Sequence, residues 1–199
     1  MGDLTAFVLA GGKSSRMGSD KAFLELHGRT LLDRALELAR GVADYVRIVG
    51  PVDKFGSYGA VVEDLYAGRG PLAGIHAALV SSATELNLVF AVDLPFLNRE
   101  LLTFLVKQAR ASDAVVTVPR VAGGFQPLCA VYRRGFAAMA EAALEAGKNK
   151  IDALFSQVAT YIIEEPELRE FAFDAALFEN LNTPEDLARA TPRLVGQKR

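Results

Sequence analysis

The sequence predicts an α/β fold of three layers, with helices on both faces of a mostly parallel central sheet. Short apolar runs typical of buried strands alternate along the chain with longer segments in which apolar residues recur at helical spacing. Residues 88–92 are apolar throughout, which favours a central parallel strand covered on both faces. At 199 residues the chain is long enough for a sizeable core. We expect a single domain over residues 1–192 and a frayed tail over 193–199.

The first predicted elements are a strand, a helix and a second strand. The apolar run over 4–10 predicts the first strand. Thr30 can cap a helix over 31–40, where apolar residues recur at helical spacing, and Gly41 follows its last residue. Residues 45–49 predict the second strand.

A short strand and two helices surround the apolar run over 88–92. The short strand is predicted over 60–62. Pro71 suits the first turn of a helix that runs to about Val80. Asn98 can cap the next helix, over 99–111, which has a continuous apolar face.

The second half of the chain continues the alternation. Strands are predicted over 114–118, 128–132 and 159–164, and helices over 136–146 and 150–156. Gly123-Gly124 marks a turn between the first two of these strands. Thr183-Pro184-Glu185 predicts the start of a last helix, because a threonine cap, a first-turn proline and a first-turn acid follow one another.

Composition argues against several classes of protein. Hydrophobic residues make up 51% of the chain and charged residues 23%, as in ordinary globular proteins. The net charge of −2 gives no support for binding to nucleic acid or to an anionic membrane. No apolar run approaches the roughly 20 residues of a membrane span. The lone Cys129 is expected to be a buried small hydrophobe, and the absence of a secretory leader leads us to expect a cytoplasmic protein.

The most informative segment follows the first predicted strand and runs from Leu9 to Lys21. A glycine-rich turn after a strand lets backbone N–H groups approach a phosphate closely. Arg16 and Lys21 add two cations to the same loop, so the segment predicts a polyphosphate site. Its spacing matches neither Walker A nor the dinucleotide-binding fingerprint.

This loop resembles the signature L-A-G-G-x-S-x-R-M-G-x-D-K of nucleotidyltransferases, and most closely that of the MobA-like molybdenum cofactor guanylyltransferases. Four further segments are similar to later motifs of that family, in the same order. They are Glu63-Asp64 with Gly70-Pro71-Leu72-Ala73-Gly74-Ile75, then Ala91-Val92-Asp93-Leu94-Pro95-Phe96, then Gln126-Pro127-Leu128-Cys129-Ala130-Val131-Tyr132, then residues 178–187. The first motif is shared by several sugar and cofactor nucleotidyltransferases, whereas the five together are specific.

The resemblance implies a Rossmann-like nucleotidyltransferase fold and an enzyme with GTP and molybdopterin as substrates. The implied reaction transfers GMP from GTP to the phosphate of molybdopterin, releases pyrophosphate and forms the guanine dinucleotide cofactor. Mg²⁺ is the implied cofactor. The implied protein partners are molybdoenzymes or other proteins of cofactor synthesis, with no nucleic acid and no membrane among the partners.

The resemblance also implies roles for particular residues. Arg16, Lys21 and Asp93 would be catalytic, and Asp93, at the end of a predicted strand, would hold the metal. GTP would contact Leu9, Ala10, Gly11, Gly12, Arg16, Lys21, Asp64 and Asp93. The pterin would contact Gln126, Asn180 and Asn182.

Structural roles compete with functional ones at some of these positions. Asp20, beside Lys21, is expected to orient the loop instead of reacting. Asp64 could cap a loop, the segment Gly70–Gly74 could serve only as a turn, and Asn182 could cap the helix that begins at Pro184. His27 and His76 lack ligand-like partners in the sequence, and both are expected to be packed or surface residues.

Two other functions stay open. One is a cytidylyltransferase acting on molybdopterin or another phosphate-bearing metabolite. Such relatives typically carry L-A-A-G, whereas this chain has Gly11, whose missing Cβ we expect to leave room for guanine. The other is a non-catalytic nucleotide-binding protein, which would not need both Lys21 and a metal ligand at Asp93.

Overall fold

Eight strands form the central sheet of the computed structural model, which describes residues 2–11, 20–181, 183, 186 and 192. In chain order the strands are β1 (Leu4–Leu9), β2 (Glu25–Leu26), β3 (Arg29–Thr30), β4 (Tyr45–Val49), β5 (Val61–Val62), β6 (Leu86–Ala91), β7 (Val116–Val121), β8 (Gly124–Phe125), β9 (Cys129–Arg133) and β10 (Thr160–Glu164). The strands β2 and β3 form a separate small hairpin.

Helices connect most of these strands. They are α1 (Leu31–Arg40), α2 (Val52–Phe55), α3 (Pro71–Ser81), α4 (Arg99–Ala111), α5 (Phe136–Glu145), α6 (Asp152–Phe155) and α7 (Glu165–Glu170), with short 3-10 helices at Lys21–Phe23 and Ala175–Phe178. Among the described residues, no helix has the length and apolar character needed to cross a membrane.

The order and direction of the strands bring several carboxyl ends to one edge of the sheet. The order is β10-β7-β9-β6-β1-β4-β5, with β8 paired to β7. Within the sheet, β8 and β9 run antiparallel to their partners, and the other pairings are parallel. The carboxyl ends of β1, β4, β5, β6 and β7 therefore lie along one edge, which the amino end of β9 also reaches. The prediction of a mostly parallel sheet is confirmed.

The side chains of β1 alternate between two cores and so define the three layers. Leu4, Ala6 and Val8 pack in a core with residues of α1 and α4. Phe7 and Leu9 pack in a second core with residues of α3 and α5. Successive strand residues point to opposite faces, so one strand contributes to both cores. The predicted three-layer α/β fold is confirmed.

Several predicted boundaries are confirmed, and several others differ from the structure by one or two residues. The differences at β6 and β7 have identifiable reasons. The helices α1 and α4 and the strand β4 have the predicted bounds. The strand β6 starts at Leu86 and not at residue 88, since Leu86 and Asn87 already pair with β1. The polar Asn87 is accommodated there because its buried side-chain amide donates to the Tyr132 carbonyl at 3.3 Å. The strand β7 spans Val116–Val121 and not 114–118. It can include the charged Arg120 because this side chain forms an ion pair with Glu164 of the neighbouring strand β10.

The predicted last helix is described only at its start. The Asp186 N–H donates to the Thr183 hydroxyl at 3.1 Å, and the Thr183 N–H donates to the Asp186 carboxylate at 2.9 Å. This reciprocal pair is a capping box. The cap therefore comes from Thr183, and Asn182, the alternative cap, lies outside the described residues, as does the tail over 193–199.

Candidate active site

The glycine loop begins where β1 is tied to β4. The backbone N–H groups of Ala10 and Gly11 both donate to the Val49 carbonyl, at 3.0 and 2.9 Å. Leu9 and Ala10 are buried, whereas Gly11 is exposed. Gly12 and Arg16 lie outside the described residues, and their proposed contacts with GTP stay predictions.

Lys21 and Asp93 meet at the carboxyl edge of the sheet. The Lys21 Nζ lies 3.2 Å from the Asp93 Oδ2, although the two residues are 72 positions apart in the chain. Lys21 opens the 3-10 helix Lys21–Phe23, and Asp93 follows β6. Both side chains are about one-fifth exposed, at 20% and 21%. The pair is thus reachable by a small ligand at the edge where α/β sheets bind ligands.

Asp93 is fixed in place by backbone bonds on both sides. The Val92 N–H donates to the Leu9 carbonyl at 3.0 Å, which ties the end of β6 to the end of β1. The Leu181 N–H donates to the carbonyl of Asp93 itself at 2.9 Å. Leu181, which belongs to the last sequence motif, therefore lies beside Asp93. Asn180 is exposed next to this contact, and Asn182 is outside the described residues.

Asp64 follows β5 at the same edge. Its Oδ1 accepts from the Tyr66 N–H at 2.7 Å, so the carboxylate does shape its own loop. The neighbouring Glu63 accepts from the Val52 N–H at 3.0 Å, at the start of α2. Asp64 remains half-buried, and its role toward GTP stays a prediction.

The two glycines of the second motif serve different structural needs. Gly70 precedes α3 with φ +76° and ψ −166°, a conformation that essentially only glycine adopts. Gly74 lies within α3, and a Cβ there would sit 3.5 Å from Leu9 and 3.6 Å from Val49. Gly70 therefore makes the turn, while Gly74 faces the sheet.

The side of Gly11 on which a Cβ would lie faces the backbone of a second glycine, Gly50. A Cβ on Gly11 would lie 3.1 Å from the Gly50 Cα and 3.5 Å from the Val49 carbonyl oxygen. A methyl at Gly11 would therefore push on the backbone after β4. The expectation that it would also press on guanine stays a prediction.

Gln126 lies in the turn between β8 and β9, at the amino end of β9. Its backbone N–H donates to the Pro119 carbonyl at 2.9 Å, and its carbonyl accepts from Cys129 at 2.9 Å. The side-chain amide donates to the Gly124 carbonyl at 3.4 Å. Gln126 is half-buried, and its contact with a pterin stays a prediction.

The structure adds residues that sequence patterns did not indicate. The helix α2, which was not predicted, carries Lys54, whose Nζ lies 3.1 Å from the Asp20 Oδ2. The Asp20 Oδ1 accepts from the Ala22 N–H at 3.2 Å and caps the 3-10 helix. Asp20 thus caps the segment that carries Lys21, and its expected role in orienting the glycine loop stays a prediction. A four-residue helix has too little periodicity for sequence to reveal it.

The cysteine and the histidines lie away from this site or within the core. Cys129 is free and fully buried, and burial raises the pKa of its thiol. His27 is exposed in the turn of the β2–β3 hairpin. His76 is buried in α3, where its ring meets the edge of Tyr66.

A cation and a carboxylate, Lys21 and Asp93, thus meet at the carboxyl edge of the sheet, where the glycine loop follows β1. The fold and its relatives define the class of protein as a nucleotidyltransferase. The chain belongs to the family described as the MobA-like NTP transferase domain, which matches residues 6–160.

Individual relatives support the same membership. A protein of Pelotomaculum thermopropionicum named probable molybdenum cofactor guanylyltransferase is 40% identical over 188 residues, covering 94% of this chain and 91% of that protein. A molybdenum cofactor guanylyltransferase of Desulfosudis oleivorans is 37% identical over 193 residues, covering 96% and 95%. The crystal structure of molybdopterin-guanine dinucleotide biosynthesis protein A from Archaeoglobus fulgidus superposes with a TM-score of 0.86 at 29% identity, covering 97% and 100%.

Proposed function

We propose that this protein transfers GMP from GTP to the phosphate of molybdopterin and releases pyrophosphate. Full-length relatives named molybdenum cofactor guanylyltransferase support the reaction. The observation that carries the chemistry is the Lys21–Asp93 pair, with its 3.2 Å contact at the ligand-binding edge.

In the proposed step, an oxygen of the molybdopterin phosphate forms a bond to the α-phosphorus of GTP. The bond between that phosphorus and the oxygen bridging to the β-phosphate breaks, and pyrophosphate leaves with the electron pair. Catalysis of such a transfer consists mainly of in-line positioning and stabilisation of charge. The Lys21 ammonium would stabilise charge that builds up on the α-phosphate and on the leaving group, and Arg16 would bind the β and γ phosphates.

The donor set at this edge fits Mg²⁺. Mg²⁺ is commonly held by one or two carboxylates together with substrate phosphates and water. In the described part of the chain, no group of three or more His, Cys, Asp or Glu residues could hold a metal ion, so Asp93 would bind the ion together with the triphosphate. When bound, the ion would neutralise negative charge on the phosphates.

The second substrate would approach from the side of β9. Gln126 offers an amide there, and Asn180 offers another beside Leu181, whose N–H is bonded to the Asp93 carbonyl. Both would face the pterin. We further propose that the reaction takes place in the cytoplasm, which the single buried thiol favours, and that product passes to molybdoenzymes or other proteins of cofactor synthesis.

The test is pyrophosphate release by purified protein with molybdopterin, Mg²⁺ and each of GTP, ATP, CTP and UTP. We expect turnover with GTP to exceed that with the other three. Equal or faster turnover with CTP would assign the protein to cytidylyl transfer, and binding of nucleotide without pyrophosphate release would make it a non-catalytic nucleotide-binding protein. Omission of molybdopterin controls for simple hydrolysis of GTP.

A further inference from the structure

The short helix that carries Lys21 is braced by α2. The 3-10 helix Lys21–Phe23 has three residues, so its own hydrogen bonds cannot fix its position. Phe23 packs on Phe55 of α2 and on Tyr58, with ring centroids 5.7 and 5.8 Å apart. Phe55 is completely buried, and a Cβ on Gly50 would come within 2.7 Å of its ring. This aromatic contact joins the lysine-bearing segment to the end of β4.

An ion pair completes the brace beside Lys21. The Lys54 Nζ lies 3.1 Å from the Asp20 Oδ2, while the Asp20 Oδ1 accepts from the Ala22 N–H at 3.2 Å. Both oxygens of this carboxylate therefore have a donor other than the Lys21 ammonium. This matters because Asp20 immediately precedes Lys21 and carries the opposite charge.

Without Lys54, two consequences follow from the charges. The Asp20 carboxylate would gain an oxygen able to attract the Lys21 ammonium away from Asp93. Its uncompensated negative charge would also oppose the approach of a triphosphate to the same edge. Lys54 is half-exposed, at 50%, so little stability of the fold depends on this pair.

We propose that Lys54 is a positioning residue for nucleotidyl transfer, which holds Lys21 toward Asp93 by pairing with Asp20. The inference rests on the proposed function, in which Lys21 acts on the phosphates of GTP. It adds a residue outside the sequence motifs, contributed by a helix that the motifs do not include.

The first test compares Lys54→Met with Lys54→Arg. Lys54→Met should lower kcat/KM for GTP by roughly 3- to 30-fold, as expected for loss of one coupled charge contact. Lys54→Arg keeps the positive charge and should stay within about 2-fold of wild type. The unfolding midpoint should hardly move in either variant, because exposed ion pairs contribute little to stability. Lys107→Met, at an exposed position of α4, controls for removal of a surface lysine.

The second test is a double-mutant cycle with Asp20→Asn. An asparagine Oδ1 can still accept from the Ala22 N–H, so the cap is retained while the charge is removed. In the Asp20→Asn background, Lys54→Met should change kcat/KM by less than about 2-fold. An equal loss in both backgrounds would overturn the proposal, since Lys54 would then act on the nucleotide directly. No loss in the wild-type background would overturn it as well.

A crystal structure of Lys54→Met separates this inference from the proposed function. The contact of 3.2 Å between Lys21 and Asp93 should open in the variant, and an unchanged contact would overturn the proposal. This readout needs no turnover. Absence of pyrophosphate release by the wild-type protein would therefore contradict the proposed function alone, and the structure of the variant would still decide the role of Lys54.

Discussion

Two side chains of opposite charge, Lys21 and Asp93, hold each other in place at the edge of the sheet. A charge-assisted hydrogen bond of this kind orients both groups before any ligand arrives. In the proposed reaction, phosphate oxygens of GTP would compete with the Asp93 carboxylate for the Lys21 ammonium. The two residues are therefore expected to contribute to the reaction in separable ways.

Asp93→Ala is expected to lower kcat by about 10²- to 10³-fold, the usual loss when a preorganised charge partner is removed. The protein should remain folded, because the side chain is partly exposed and contributes no core volume. Pyrophosphate release under saturating GTP measures the loss, and urea unfolding tests the fold. Asp93→Asn, which keeps the shape and removes the charge, should lose a similar factor. Near-normal turnover in either variant would contradict a metal-holding role.

Lys21→Ala is expected to lower kcat more than it weakens GTP binding. Charge on the leaving group grows during transfer, so a cation beside it stabilises the transition state more than the bound substrate. Steady-state kinetics gives kcat, and calorimetric titration gives the affinity for GTP. If affinity collapses while kcat at saturating GTP is retained, Lys21 serves only in binding.

Individual elements were predictable where their signals are local. Thr30 caps α1 by accepting from the Asp33 N–H at 3.0 Å, and Asn98 caps α4 by accepting from the Leu101 N–H at 2.8 Å. Each cap precedes a long apolar face, so the sequence predicts the first and last residues of both helices correctly. At Asp64, in contrast, the sequence left two roles open, a contact with GTP and a cap of its own loop. The structure shows that the carboxylate accepts from the Tyr66 N–H of that loop.

Gly70, in the turn before α3, has a backbone conformation that other residues adopt only at a cost in stability. Gly70→Ala places a Cβ on a residue with φ +76° and ψ −166°, which should lower the free energy of unfolding by about 1–3 kcal/mol. The position has open space around it, so the loss would come from the backbone and not from a clash. Because the turn also sets the start of α3 beside the site, the KM for GTP should rise.

Gly135→Ala is the matched control for this variant. Gly135 also precedes a helix and has open space around its Cβ position, but its φ of −59° suits any residue. Its free energy of unfolding should stay within about 1 kcal/mol of wild type. Urea denaturation of both variants gives the comparison, and equal effects at the two positions would remove the backbone explanation.

Contacts between elements that are distant in the chain could not be predicted from the sequence. The carboxyl-edge rule brings the glycine loop and Asp93 together without any coordinates. The rule does not give the antiparallel direction of β9, which depends on pairing with both β6 and β7. It also cannot place Lys54, because α2 spans four residues and its partner Asp20 is 34 positions away.

For the molecule as a whole, the buried thiol of Cys129 is expected to make the free energy of unfolding depend on pH in the alkaline range. Burial raises the pKa of this thiol in the folded protein, whereas an unfolded chain titrates it near pH 8.5. Above about pH 8.5 the unfolded state therefore binds fewer protons than the folded state, and stability falls as pH rises, by up to about 1.4 kcal/mol per pH unit. Cys129→Ala should remove this slope.

The measurement is the free energy of unfolding of both proteins at several values between about pH 7.5 and pH 9.5. Other titrating groups contribute equally to the two curves, so the difference isolates the thiol. Tyr132, whose pKa burial also raises, adds a slope only as pH approaches about 10. Parallel curves for the two proteins would show that the thiol ionises as easily in the folded core as in the unfolded chain.

The bond from the Leu181 N–H to the Asp93 carbonyl has a consequence for how the enzyme is made. A ribosome releases the amino-terminal strands first, and domains fold as synthesis proceeds. The residue expected to hold the metal gains this contact only after the chain has grown through Leu181. Every strand of the described sheet is synthesised before Leu181, so a nascent chain can hold the sequence of the whole described sheet while Asp93 still lacks this contact.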